Sequence, residues 1–154
     1  MRAAAVPAMS VRARAVIPDG HGRVMFDRTH HVDRSPFYWL PGGGVEAGET
    51  AEEALQRELI EEASLRITVE RLLYVSENLF VESGDYRHEV ILYFLARAGE
   101  TLPGAPVDRR HHEWHAPDAT PGPFLPPDVA AAVAADLRDG FRRPVQHLVT
   151  DERP

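Results

Sequence analysis

The stretch RELIEEASL, residues 57–65, sets Glu58, Glu61 and Glu62 three and four residues apart. On a helix advancing by about 100° per residue, the three carboxylates share one arc of roughly 100°. Ala51 and Ala54 interleave with them and Leu55 and Leu59 lie beside them, so the acidic face borders the core. Glu58 and Glu62 are a like-charge pair at a spacing that costs a few tenths of a kcal/mol on an open surface, and more where the dielectric is lower. Ion pairing along the helix accounts for Glu53, four residues before Arg57, but not for the other three. Oxygen ligands crowded in this way suit a hard divalent cation such as magnesium. On spacing alone, a solvated acidic helix is the alternative.

The charge of the chain is concentrated at the same place. Residues 46–62 hold seven acids and one arginine, a net −6 out of −7 for all 154 residues. Such a focus repels phosphate backbones and argues against a nucleic-acid polymer as partner. The chain has no cysteine and no lysine. That excludes disulfides, thiolate metal sites, cysteine nucleophiles, Schiff-base chemistry and a P-loop lysine. No apolar run approaches the length needed to cross a bilayer, so no membrane partner is expected. Pro7, Ser10, Arg12 and Arg14 interrupt any signal-peptide core at the N-terminus, and a cytoplasmic address is expected by default.

The elements that must position the acidic helix are legible in outline. VRARAVIP reads as a strand, Asp19-Gly20 as a turn and GRVMFDR as its hairpin partner. FYWL is a short strand feeding an irregular loop at Pro41, Gly42, Gly43 and Gly44. From Thr50 to about Ala63 the residues favour helix, with Thr50 as N-cap and Glu53 placed to close a capping box. RITVERLLYVSENLF and EVILYFLARA read as strands around the turn ESGDYR, and HHEWHA as a last short strand. PPDVAAAVAADLRDG is a second helix, with Val129, Val133 and Leu137 at four-residue spacing and Gly140 as C-cap. This order predicts one domain over residues 1–154, a mixed sheet with helices packed on it, an ordered core of about 9–141 and a polar tail, 142–154, that frays.

Counting forward from Gly43, five residues lead to Glu49 and seven more to Arg57-Glu58. Then follow Leu59, one residue, Glu61-Glu62, one residue, Ser64 and Leu65. This resembles the Nudix box, whose family pattern is Gly, five residues, Glu, seven residues, Arg-Glu, an aliphatic, one residue, Glu-Glu, one residue, Gly and an aliphatic. Every fixed position matches except the last glycine, here Ser64, and the lead-in WLPGGGVEAGE is also similar to the family's. A residue just past a helix end often takes the left-handed conformation, where serine costs on the order of 1 kcal/mol more than glycine.

The resemblance implies an α/β fold of the α+β type: a Nudix-like α/β/α sandwich with a mixed β-sheet and helices on both faces. It implies hydrolysis of a pyrophosphate bond in a nucleoside diphosphate linked to another moiety, with magnesium, or manganese, as cofactor. Carried over by position, Glu58, Glu61 and Glu62 are the metal carboxylates, and the backbone carbonyl of Gly42 is a further ligand. Glu58 and Glu61 are candidates for the catalytic base, and Arg57 orients a box glutamate such as Glu49. Gly43, Glu49 and Ser64 are structural positions of the motif. A further acidic ligand often comes from a later loop, where Asp108 and Glu113 are the options, with Glu77, Glu82 and Glu89 weaker. The partner implied is a small nucleotide, and a homodimer remains open.

HHEWH is one residue too short for the His-Glu-x-x-His zinc motif; as a strand it sets His111, Glu113 and His115 on one face. Tyr38, Trp39, Phe80 and Tyr93 offer rings to a base, though strand aromatics belong more often to the core. A catalytically weak Nudix-fold nucleotide sensor and an acidic protein-binding surface are the competing readings. The full glutamate set speaks against the sensor.

Overall fold

The computed structural model describes residues 9–29, 35–103 and 112–154. Its elements run β1 (Met9–Val16), β2 (Val24–Arg28), β3 (Tyr38–Trp39), β4 (Gly42–Gly44), α1 (Ala51–Ala63), β5 (Leu65–Glu82), β6 (Asp85–Thr101), β7 (His112–His115), α2 (Pro127–Asp139) and β8 (Gln146–Asp151). A five-stranded mixed sheet has the order β4-β1-β6-β5-β8, and a three-stranded sheet has the order β3-β2-β7.

Alternation along the central strands builds two cores. Ala13 and Ala15 of β1 and Phe94 and Ala96 of β6 meet Leu55 and Leu59 of α1 on one side of the larger sheet. Val16, Ile91 and Tyr93 face the other side, where Phe26, Tyr38, Val129 and Val133 complete the core with α2. The sheet is therefore sandwiched between helices, because period-two strands present apolar side chains on both faces.

Helix α1 begins as expected: Thr50 accepts from the Glu53 amide and Glu53 accepts from the Thr50 amide. It ends at Ser64, buried in the left-handed conformation at φ 47°. The β5–β6 hairpin is longer than the sequence reading, and its turn is only Ser83-Gly84, both at positive φ.

Three expectations are corrected. The glycine run is a strand, β4, antiparallel to β1, because a Cβ at Gly42 would stand 2.0 Å from the Ala13 carbonyl oxygen. Only glycine lets the two backbones approach so closely. β1 and β2 meet antiparallel only next to the expected turn, at the Pro18–Val24 bridge, where Asp19 N–H donates to the Arg23 carbonyl and Met25 N–H to the Ile17 carbonyl. Beyond it β1 pairs with β4 and β6 and β2 with β3 and β7, so the chain changes sheet between them. The tail beyond residue 141 does not simply fray. Gln146–Asp151 forms β8, parallel to β5, because Arg143 and Gln146 are bound by the buried carboxylate of Asp136 and Leu148 packs on the core.

Candidate active site

Leu55 and Leu59 are fully buried, and they fix the roll of α1 so that its acidic arc lies along the edge of the core. Arg57 organises the outer part of that arc. Its Nε and Nη2 donate to Glu49 at 3.1 and 2.7 Å, Nη2 also donates to the Gly44 carbonyl at 3.1 Å, and Nη1 donates to Glu58 at 3.0 Å and Glu61 at 3.3 Å. The planar fork thus ties the glycine strand to the helix. The bond to Glu49 is the chief reason that the Arg57 guanidinium holds its proton more firmly than usual, and it draws the Glu49 carboxyl below its ordinary range.

The three box carboxylates part company here. Glu61 is 57% exposed and rests on Arg57. Glu58, only 15% exposed, lies directly under Gly43, where a Cβ would stand 2.3 Å from the Glu58 carboxyl carbon. Glu62 turns inward beside Glu58. Burial first, then the charges of Glu58 and Asp27, raise its pKa to about 8. Its Oε2 is buried and has no hydrogen-bond partner.

The opposite wall was not legible as a site in the sequence. Asp27 of β2 and His112 of β7 are register partners, and with Glu62 they bring one ligand atom each to within 4.8 Å of one another. Trp39 Nε1 donates to Asp27 Oδ2 at 3.2 Å. The buried Arg14 donates to the Leu40 carbonyl at 2.6 Å and lies 4.6 Å over the Trp39 ring. Burial lowers its pKa. Asp27 and His112 read as ordinary strand positions in the sequence, and only the change of sheet after β1 brings them to α1.

Glu113 is not brought to this cluster. It is the register partner of Phe26, so it projects toward the α2 side. There Tyr38 Oη donates to it at 3.0 Å, His115 lies at 2.7 Å and Arg28 at 3.7 Å. The His115 hydrogen bond is the main cause of its lowered pKa. Asp108 and His111 lie outside the described residues. Glu77 is hydrogen-bonded to His88 and His147, Glu82 pairs with Arg87 and Glu89 with Arg12, so each of these weaker options has its own polar partner.

A cavity of about 450 Å³ opens beside Arg14 on the α2 side of the sheet. Arg12, Arg14, Phe37, Trp39, Phe80 and Tyr93 line it, so three of the four aromatics singled out in the sequence border open space. Tyr93 also belongs to the α2-side core, and Tyr38 belongs to that core without bordering the cavity.

A NUDIX domain profile matches residues 9–137. The chain belongs to the Nudix family. It is 34% identical over 114 residues to the human 8-oxo-dGDP phosphatase NUDT18, covering 70% of this chain and 33% of that protein. It is 33% identical over 99 residues to the NAD-capped RNA hydrolase NudC of Edwardsiella ictaluri (strain 93-146), covering 64% of this chain and 35% of that protein. The chain thus spans about a third of the length of these curated relatives. Its fold is similar to that of a NUDIX hydrolase from Nitrosomonas europaea, with a TM-score of 0.67 and 19% identity over 88% of this chain and 92% of that one. Nudix proteins generally use a divalent metal, and the inward carboxylates here fit one: Glu62 carries a buried oxygen that no donor among the described residues satisfies, next to further negative charge. Among the described residues, no helix is long and apolar enough to cross a membrane.

Proposed function

We propose that this Nudix chain hydrolyses a pyrophosphate bond in a nucleoside diphosphate derivative with magnesium or manganese as cofactor. The observation that carries the reading is the buried, unsatisfied Glu62 oxygen beside Glu58, an arrangement that makes physical sense when a cation compensates it. Glu58 and Glu62 would hold the ion, with Glu61 and the Gly42 carbonyl as further ligands. A divalent cation bound there neutralises diphosphate oxygens and makes a water acidic enough to attack phosphorus.

The chain's own residues do the rest. Arg57 holds Glu58 in place and keeps Glu61 at the rim. Of the two candidate bases, Glu58 is favoured, because it is enclosed beside Glu62 whereas Glu61 stands exposed at the rim. Arg14, at the boundary between the carboxylates and the cavity, offers its guanidinium to a phosphate. Trp39 and Phe80 offer aromatic faces to the nucleoside. The names of both relatives point to a diphosphate attached to a nucleoside, which supports the substrate class.

The test is a panel of nucleoside triphosphates, nucleotide sugars, ADP-ribose and dinucleoside polyphosphates with magnesium. The readouts are phosphate, pyrophosphate and nucleoside monophosphate, and Glu62→Gln is run beside the wild type. Turnover of at least one compound that falls by roughly a hundredfold or more in the variant, with an unchanged circular dichroism spectrum, is expected. Wild-type turnover in Glu62→Gln would remove the assignment.

A further inference from the structure

The helix glutamates supply only oxygen, but the wall facing Glu62 adds a nitrogen. Register sets this wall. Asp27 is paired with Trp39 on one side and His112 on the other, and paired residues of antiparallel strands project to the same face. That face also carries Met25 onto Leu55 and Leu59, so Asp27 and His112 point toward α1 and not into the α2 core. Three elements distant in sequence therefore converge on one spot, with the donor atoms within 4.8 Å of one another. Ligands bound to one ion through contacts of about 2.1–2.2 Å stand roughly 3 to 4.4 Å apart, so the cluster needs little adjustment to close.

The neighbouring donors leave the cluster's oxygens available. Trp39 takes Oδ2 of Asp27, leaving Oδ1. Arg14, the nearest buried cation, is engaged by the Leu40 carbonyl and the Trp39 ring. Glu62 Oε2 has no hydrogen-bond partner. Magnesium takes oxygen ligands and retains its waters, whereas imidazole suits zinc, copper, iron and nickel, with manganese at the weak end of that first-row series and therefore the most stringent probe of the nitrogen ligand.

We propose that Asp27, Glu62 and His112 form a mixed nitrogen–oxygen cation site that selects a divalent first-row transition ion over magnesium. This rests on Glu62 being a cation ligand, as above, and goes beyond it in assigning two new ligands and the class of ion. The all-oxygen side of the same site, around Glu58, remains the position suited to magnesium.

The experiment is a manganese titration of the metal-free chain, followed by electron paramagnetic resonance with magnesium as competitor. Manganese is expected to bind at least tenfold more tightly than magnesium, with pulsed spectra showing an imidazole nitrogen coupled to the bound ion. His112→Gln should weaken manganese binding by about 10–100-fold and magnesium binding by less than about threefold, erasing the nitrogen coupling. The nitrogen signal of the wild type needs no variant, so it decides the matter even if His112→Gln folds poorly. Bound manganese without nitrogen coupling, or an unchanged manganese-to-magnesium ratio in a folded His112→Gln, would overturn the proposal. Nitrogen-coupled manganese with no hydrolysis of any diphosphate would sustain it and overturn the functional reading alone.

Discussion

Gly43 shows how a single side-chain position governs the site. The space its missing Cβ leaves is filled by the Glu58 carboxylate, 2.3 Å from where that carbon would stand. The carboxylate is the far end of a rotatable side chain, so Gly43→Ala should displace it without unfolding the strand. The expected result is a loss of turnover of roughly a hundredfold, the usual consequence of an ångström-scale misplacement, with a melting temperature within a few degrees of wild type. Glu62 behaves in the opposite sense. Its pKa is raised to about 8, so without metal the folded state loses stability as pH rises from the unfolded carboxyl range through that value. Glu62→Gln removes this penalty. In metal-free buffer near pH 8, thermal denaturation should show the variant more stable by on the order of 1 kcal/mol, or about 2–4 °C, even as activity disappears.

Two element boundaries carry testable energetics. α1 ends on Ser64 at φ 47°, a conformation glycine adopts at little cost, and the serine hydroxyl is buried without a partner. Ser64→Gly should therefore stabilise the chain by about 1 kcal/mol and leave the metal site unchanged, as read by denaturant titration and activity. At the other end of the molecule, Asp136 of α2 is buried. It accepts from Tyr74 Oη of β5 at 2.7 Å and from Gln146 at 3.2 Å, and it pairs with Arg143. Burial pushes its pKa up, but the bonds from Arg143 and Tyr74 outweigh that and leave it below the ordinary value. Its contribution is thus fully present above the unfolded pKa and is lost as pH falls through the depressed folded one. Asp136→Asn should cost about 2 kcal/mol at pH 7, and the gap between variant and wild type should narrow in acid.

At the scale of the whole molecule, β8 closes one edge of the five-stranded sheet and brings Leu148 onto the core. A chain stopped after Pro144 keeps the Arg143 bond to Asp136 but exposes the β5 edge. Calorimetry should show a loss of about 2 kcal/mol, a fall of roughly 4–8 °C in melting temperature, with the α1 carboxylates still in place.

The sequence by itself determined the acidic helix and its capping box, which follow from residues close in the chain, and the order of strands and helices gave the mixed sheet. The fixed spacing of the motif pointed to the contact of Arg57 with Glu49 that the structure contains. Only the tertiary structure decided that Glu62 points inward while Glu61 does not, that Gly43 makes room for Glu58, and that the residues after 145 add a strand. It also decided that Asp27 and His112 meet Glu62 and that Glu113 turns away. These depend on which strands share a sheet and in what register, and a shift of one residue would exchange His112 for Glu113 at the site. Strand pairing across such distances leaves no periodic trace in the chain, so the wall opposite the helix became visible only with the fold.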